Sequence, residues 1–140
     1  LVVDLPPEEA EFFVQALRKE TLDFIALLTP TSGPERMESA RRVASGFLYY
    51  VSLKGVTGAA RKGAYGELGP RIDTLRQAVG LPVAVGFGIS SRADVAEVIA
   101  VADGAVVGSS FIRAVQNGGP SCEGMIQAGR SYFQDLVSAR

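Results

Sequence analysis

Five short apolar runs recur along the chain, and within each run the hydrophobicity is nearly continuous rather than alternating. Strands that are covered on both faces of a parallel sheet have this pattern. We therefore predict five buried strands, at residues 1–3, 24–28, 47–51, 82–85 and 104–107.

The segments between these runs are amphipathic and long enough for helices. Helices are predicted at residues 7–17, 34–44 and 70–79, from Ser91 onward, and from about Pro120 to the C-terminus. Ser91, followed three residues later by Asp94, also has the pattern of a capping box. Strands that alternate with helices predict an α/β fold with a parallel sheet.

Two glycine clusters accompany the last two predicted strands, at residues 86–91 and 104–110, and each leads into a helix-like segment. In (βα)8 barrels, the loops after strands 7 and 8 and the N-terminus of a short extra helix often bind a phosphate. One cluster alone is a weak signal, because glycine-rich strand ends are common. Two clusters one strand–helix unit apart predict a phosphorylated ligand.

Five strand–helix units are too few to close a barrel, which takes about 250 residues as a rule. The chain also begins inside an apolar run, and a bare parallel edge there would favour aggregation. We therefore expect residues 1–140 to be the C-terminal portion of one (βα)8 TIM barrel domain, with about strands 4 to 8, after about 100–120 further residues. The alternative is a free-standing, doubly wound sheet of the flavodoxin type.

Composition and charge narrow the classes of ligand and partner. The chain is 47% apolar and carries a formal net charge of −1, which fits one soluble α/β domain and argues against nucleic acid or a membrane as the main partner. Cys122 is the single cysteine, so no internal disulfide forms, and no apolar run approaches the roughly 18 residues of a membrane span. A cytoplasmic location is expected. Histidine is absent, and neither a metal nor a cofactor is expected.

A glycine-rich stretch at residues 52–66 is long for a connection between a strand and a helix. At the end of a barrel strand it would form a lid, with the Thr57 hydroxyl bonding a carboxylate on closure; a surface loop without a role is the alternative. On the preceding strand, alternation places Tyr49 opposite Tyr50, so that its hydroxyl reaches either a ligand or core backbone. Phe87, between two glycines, either walls the pocket or plugs the barrel top.

Four strings of residues together resemble one family, the α subunit of tryptophan synthase, over essentially the whole chain. They are Val-Asp-Leu-Pro at 3–6, Tyr-Tyr-Val-Ser at 49–52 leading into Gly-Val-Thr-Gly at 55–58, Pro-Val-Ala-Val-Gly-Phe-Gly-Ile-Ser at 82–90, and Gly-Ala-Val-Val-Gly-Ser at 104–109. The resemblance implies a lyase of tryptophan biosynthesis that performs the retro-aldol cleavage of indole-3-glycerol phosphate to indole and glyceraldehyde 3-phosphate. It also implies a β subunit as partner in an α2β2 heterotetramer, located in the cytoplasm or, in a plant or alga, the plastid.

The resemblance further implies eight substrate-binding residues. The phosphate would be bound, mainly through backbone N–H groups, by Gly58, Gly88, Gly108 and Ser109. Phe87 and Val106 would contact the indole ring, and Tyr49 would line the substrate pocket. Thr57 would close onto a catalytic aspartate. Asp4 and Pro6 match a loop near the contact with the β subunit.

The acid and the base of the reaction are not assigned to any residue of this chain. In the family, the catalytic glutamate and aspartate lie in the region of strand 2 and loop 2, before the part that this chain matches. We therefore expect the 140-residue segment alone to be inactive. One alternative is a non-catalytic partial barrel that binds phosphate. The other is a different phosphosugar barrel enzyme, and such an enzyme would be expected to carry a histidine, cysteine or well-placed acid on these strands.

Overall fold

Four parallel strands form one sheet in the computed structural model of the protein, which describes residues 1–52, 65 and 68–138. The strands β1 (Leu27–Leu28), β2 (Leu48–Val51), β3 (Val83–Gly86) and β4 (Gly104–Val106) lie in chain order, each parallel to its neighbour. The helices are a 3-10 helix at Pro7–Glu9, then α1 (Glu11–Lys19), α2 (Pro34–Val43), α3 (Gly69–Val79), α4 (Arg92–Ile99), α5 (Ser109–Gln116) and α6 (Cys122–Val137). The predicted α/β fold with a parallel sheet is confirmed.

Local sequence signals set several of the helix ends. Helix α3 stops at Gly80, whose φ of +79° is the left-handed conformation that glycine adopts without a steric penalty. Helix α4 begins with the predicted capping box, in which the Ser91 hydroxyl accepts from the N–H of Asp94 at 3.2 Å and the Asp94 carboxylate accepts from the N–H of Ser91 at 2.8 Å. These signals act over a few residues, which is why the sequence alone predicts them.

The two faces of the sheet differ in what covers them. One face packs against helices α2 and α3 through fully buried side chains, namely Leu28, Leu48, Tyr50, Val83 and Val85. The register places Leu27, Tyr49, Ala84 and Gly104 in one row across the other face, and Val51, Gly86 and Val106 in the next. Most residues of these two rows are partly exposed, and we call this side the open face. Tyr49 and Tyr50 therefore lie on opposite faces of the sheet, as predicted.

The strand predicted at residues 1–3 is wrong, because this segment belongs to no strand of the sheet. The N–H of Leu5 donates to the carbonyl of Val2 at 3.4 Å, and the side chain of Val3 is 67% exposed. A three-residue strand at a sheet edge pairs on one side only and gains few hydrogen bonds, so a local turn forms instead. The other four apolar runs each contain a strand, although β1 is only two residues long.

The longest helix of the described residues is α6, with 16 residues. Within the part of the chain that the structure describes, no helix combines the length and the apolar character needed to cross a membrane.

Candidate functional site

A cavity of about 430 Å³ opens on the open face of the sheet, at the carboxyl ends of β2, β3 and β4. Of the eight residues expected to bind substrate, six line it: Tyr49, Phe87, Gly88, Val106, Gly108 and Ser109. The other two, Thr57 and Gly58, lie outside the described residues. The structure thus brings together residues from three strand ends, and their individual roles stay predictions.

The residues expected near a partner lie elsewhere. Asp4 belongs to a turn and Pro6 immediately precedes the 3-10 helix, and neither lines the cavity. Both therefore lie outside the candidate ligand site, and their contact with a partner stays a prediction.

The first residues of α5 line the cavity, and no side chain caps this helix. Gly108 occupies the N-cap position and has no side chain that could accept from the first turn. The first N–H groups of a helix lack an intrahelical acceptor and carry partial positive charge. They can therefore bind an anion such as a phosphate group inside the cavity.

Helix α4 starts beside the same cavity, but its N-terminus is already occupied. The Asp94 carboxylate accepts from the N–H groups of Ser90 and Ser91, at 3.0 and 2.8 Å. Partial burial by itself would raise the pKa of Asp94, but its hydrogen bonds with Ser90 and Ser91 outweigh burial and lower that pKa. The carboxylate is charged at neutral pH and neutralises this helix start, so the start of α5 is the better anion site.

Two side-chain hydrogen bonds fix the turns around the cavity. The Ser110 hydroxyl donates to the carbonyl of Ile89 at 3.1 Å, which joins the start of α5 to the turn after β3. The Tyr132 hydroxyl, from α6, donates to the carbonyl of Ser90 at 2.6 Å. The first bond joins the two glycine-containing turns, and the second holds the turn after β3 against α6.

Tyr49 reaches the cavity because the neighbouring strand has no side chain beside it. A Cβ atom at Gly86 would overlap the Tyr49 hydroxyl and would lie 2.7 Å from ring atom Cε1. Glycine at this position therefore leaves room for a ring that extends from β2 across β3. Burial raises the pKa of the Tyr49 hydroxyl, so at neutral pH it is protonated and can donate a hydrogen bond.

Phe87 has a backbone conformation that residues with side chains rarely adopt. Its φ is +99°, and the next residue, Gly88, has a φ of +79°. A non-glycine residue in such a conformation costs about 1–3 kcal/mol and persists only where its surroundings enforce it. Phe87 is 46% exposed and lines the cavity, while its carbonyl accepts hydrogen bonds from the Ser52 and Tyr65 hydroxyls, both at 3.4 Å.

The described residues that line the cavity include no carboxylate. The cavity can bind an anion at the start of α5 and an apolar group between Phe87 and Val106. Bond cleavage by proton transfer needs an acid and a base within hydrogen-bond reach of the ligand. This wall of the site supplies binding groups and no such pair.

The sequence did not predict four of the described residues that line the cavity, which are Ile89, Ser90, Ser110 and Arg113. The most consequential is Arg113, because it adds a cation to a site that was expected to act mainly through backbone N–H groups. Arg113 stands four residues after Ser109 and therefore on the same side of α5, and it lines the cavity with Ser109. That spacing was visible in the sequence once α5 was placed.

Comparison with known proteins gives a consistent result. The family model described as tryptophan synthase alpha chain matches residues 1–138. The tryptophan synthase alpha chain of Geotalea uraniireducens is 50% identical over 113 residues, which cover 81% of this chain and 42% of the relative. That of Ralstonia nicotianae is 44% identical over 139 residues, covering 99% of this chain and 51% of the relative. The chain therefore spans about half the length of these curated relatives.

Solved structures agree with the sequence matches. Tryptophan synthase subunit alpha from Legionella pneumophila superposes with a TM-score of 0.81 at 34% identity, covering 99% of this chain and 50% of that one. A chain of the tryptophan synthase α2β2 complex from Pyrococcus furiosus superposes with a TM-score of 0.71 at 28% identity, covering 98% of this chain and 51% of that one. The sheet and its helices are thus about half of a (βα)8 barrel, and not a doubly wound sheet.

Proposed function

Because the chain belongs to the tryptophan synthase alpha chain family, we propose that it supplies one half of the active site of a lyase. The reaction is the cleavage of indole-3-glycerol phosphate to indole and glyceraldehyde 3-phosphate. The observation that carries the proposal is the cavity of about 430 Å³, in which an uncapped helix start and an exposed aromatic ring lie together. A ligand with a phosphate at one end and an indole ring at the other matches both features.

The phosphate would bind at the start of α5. Backbone N–H groups of Gly88, Gly108 and Ser109 would donate to its oxygens, with Gly58 completing the site from outside the described residues. Glycine allows the close approach of backbone that such bonds require. Arg113 would add a longer-range attraction that weakens as the salt concentration rises.

The indole ring would lie between Phe87 and Val106, and the Tyr49 hydroxyl would donate to a polar atom of the substrate. The Phe87 ring presents a face or an edge to the cavity, and aromatic pairs of this kind contribute about 0.5–1.5 kcal/mol beyond the burial of area. Tyr49 is suited to donate a hydrogen bond rather than to act as a base, because burial raises the pKa of its hydroxyl and keeps it protonated.

The chemical step would use groups from the half of the barrel that this chain does not span. Breaking the bond needs an acid to protonate the indole ring carbon and a base to take a proton from a glycerol hydroxyl. Carboxylates on the missing strands would take both roles, and Thr57 would bond one of them. The segment alone would then bind substrate without turning it over.

The proposal includes a β subunit as partner, with Asp4 and Pro6 near the contact, and the cytoplasm as location. The α2β2 assembly named for the Pyrococcus furiosus relative supports the first of these. A partial barrel that binds phosphate without catalysis is the alternative. It would share the cavity and would show no turnover when the barrel is complete.

Binding of glycerol 3-phosphate to a matched pair of variants tests the site. Gly88 and Gly80 both have a φ of +79°, but only Gly88 lines the cavity. Gly88→Val and Gly80→Val therefore impose a similar backbone strain, of about 1–3 kcal/mol, at two different places. By isothermal titration calorimetry, we expect Gly88→Val to lose at least tenfold in affinity and Gly80→Val to bind like the wild type.

An Arg113→Gln variant extends the same experiment. We expect about a two- to fivefold loss of affinity at low salt, the range of a solvent-exposed ion pair, and little difference at high salt. Wild-type affinity in Gly88→Val, or equal losses in both glycine variants, would mean that the phosphate site is misplaced.

A further inference from the structure

The strained turn at Phe87 is anchored on the side away from the ligand cavity. The carbonyl of Phe87 accepts from the hydroxyls of Ser52 and Tyr65, at 3.4 Å each. Both donors are buried, since Ser52 is 1% and Tyr65 is 6% exposed. They come from different parts of the chain, 35 and 22 residues before Phe87.

The anchors themselves are fixed. The N–H of Ser52 donates to the carbonyl of Gly86 at 3.0 Å, which continues the pairing of β2 with β3. The N–H of Tyr65 lies 3.5 Å from a carboxylate oxygen of Glu97 on α4. Burial raises the pKa of the Tyr65 hydroxyl, as do the charges of Asp94 and Glu97, so the hydroxyl keeps its proton at neutral pH.

Peptide geometry connects these hydroxyls to the phosphate site. In a trans peptide, the carbonyl of one residue and the N–H of the next lie in one plane and point in opposite directions. Bonds that hold the Phe87 carbonyl toward the buried hydroxyls therefore hold the N–H of Gly88 in the opposite direction. Gly88 is one of the residues that line the cavity.

We propose that Ser52 and Tyr65 are positioning residues for the ligand site. Their hydroxyls keep Phe87 at positive φ, and this conformation directs the N–H of Gly88 to the phosphate and presents the Phe87 ring to the indole. The inference rests on the proposed function for the identity of the ligand. The control of backbone conformation stands on the hydrogen bonds and the strained dihedral angle.

Glycerol 3-phosphate is the probe for the test, because it has no ring and so does not contact Phe87 through stacking. In Ser52→Ala/Tyr65→Phe, the turn relaxes and the binding-competent conformation becomes a minor one. We expect Kd to increase at least fivefold, because the apparent Kd rises as the fraction of molecules in the binding-competent conformation falls. Ser39→Ala, which removes another buried serine hydroxyl far from the cavity, should leave Kd unchanged.

The same substitutions in a Phe87→Gly background separate positioning from general destabilisation. Glycine adopts positive φ without strain, so the hydroxyls have less to enforce. There we expect their loss to change Kd by about twofold or less. An equal effect in both backgrounds would contradict the inference, and Tyr65→Phe alone gives the same comparison if the double variant does not fold.

A crystal structure of the ligand-free Ser52→Ala/Tyr65→Phe chain, or of Tyr65→Phe alone, provides a readout that needs no ligand. We expect φ of Phe87 to move to a negative value. A φ that stays near its present value without the hydroxyls would overturn the inference. If the wild-type chain fails to bind glycerol 3-phosphate, the proposed function fails, while the dihedral angle still decides whether the hydroxyls control the turn.

Discussion

Replacing Gly86 by alanine tests the packing that brings Tyr49 to the cavity. The added Cβ would overlap the Tyr49 hydroxyl and lie 2.7 Å from its Cε1 atom, so the ring must move or the two strands must separate. Gly86 does not have a positive φ, so the backbone itself accepts alanine. Any loss of stability on this substitution therefore comes from the collision with Tyr49.

The expected size follows from this geometry. Inserting a methyl group into a filled site costs about 1–3 kcal/mol, while replacing glycine by alanine at a compatible position stabilises by about 0.4–1 kcal/mol through the unfolded chain. We expect Gly86→Ala to lower the free energy of unfolding by about 1–2 kcal/mol net. For a chain of 140 residues this is a decrease in Tm of about 3–7 °C.

A neighbouring glycine is the matched control. A Cβ at Gly104, on the adjacent strand and the same face, would lie 3.5 Å from the Cβ of Ala84, which is an ordinary contact. Gly104→Ala should therefore leave stability unchanged or raise it slightly. The two substitutions are chemically identical, but only Gly86→Ala should lower Tm.

A double-mutant cycle with Tyr49→Ala identifies the collision as the cause. In a chain without the Tyr49 ring, Gly86→Ala should cost less than about 0.5 kcal/mol, which gives a coupling energy of about 1–2 kcal/mol. Urea unfolding of the four chains measures this. Additive effects, or a Gly86→Ala chain as stable as the wild type with Tyr49 still at the cavity, would refute the packing described above.

Two further predictions concern turnover and acid stability. The 140-residue chain should release no indole from indole-3-glycerol phosphate. The same chain joined behind the N-terminal half of the Geotalea uraniireducens relative should release indole, because the acid and the base would then be present. Indole release by the 140-residue chain alone would contradict this prediction. Asp103 accepts from the N–H of Val83 at 2.8 Å and pairs with Arg76 at 3.1 Å, and these contacts lower its pKa, the bond from Val83 most. A pKa that is lower in the folded state gives stability that is present above the unfolded-state pKa of about 4 and is lost as the pH falls through the folded-state pKa. The free energy of unfolding of Asp103→Asn should therefore fall less steeply below pH 4 than that of the wild type. Parallel curves would show that Asp103 does not contribute to the loss of stability in acid.

The sequence predicted most of the fold and much of the candidate site, because the signals involved are local or follow from topology. Buried parallel strands are recognisable as continuous apolar runs, and the capping box at Ser91 needs only four residues. The cavity was predictable because the carboxyl ends of parallel strands meet at one edge of the sheet. Tyr49, Gly88 and Gly108 are far apart in sequence, yet they come together for this reason.

What the sequence did not predict depends on tertiary contacts. Nothing in the residues around Phe87 indicates a positive φ, since the hydroxyls that bond its carbonyl belong to Ser52 and Tyr65 in other parts of the chain. The error at residues 1–3 has a related cause. The apolar character of these residues does not show whether pairing at a sheet edge will outweigh a local turn.

The difference between the two helix starts beside the cavity has a consequence for selectivity. Asp94 is covalently attached to α4, so its carboxylate competes for that helix start at an effective concentration that dissolved phosphate does not reach. Helix α5 has Gly108 and Phe111 where α4 has Ser91 and Asp94, and therefore has no internal competitor. Among the described residues, the cavity therefore has one uncapped helix start for an anion rather than two, although the two turns are similar in sequence. We expect this part of the site to favour ligands with one phosphate group over ligands with two.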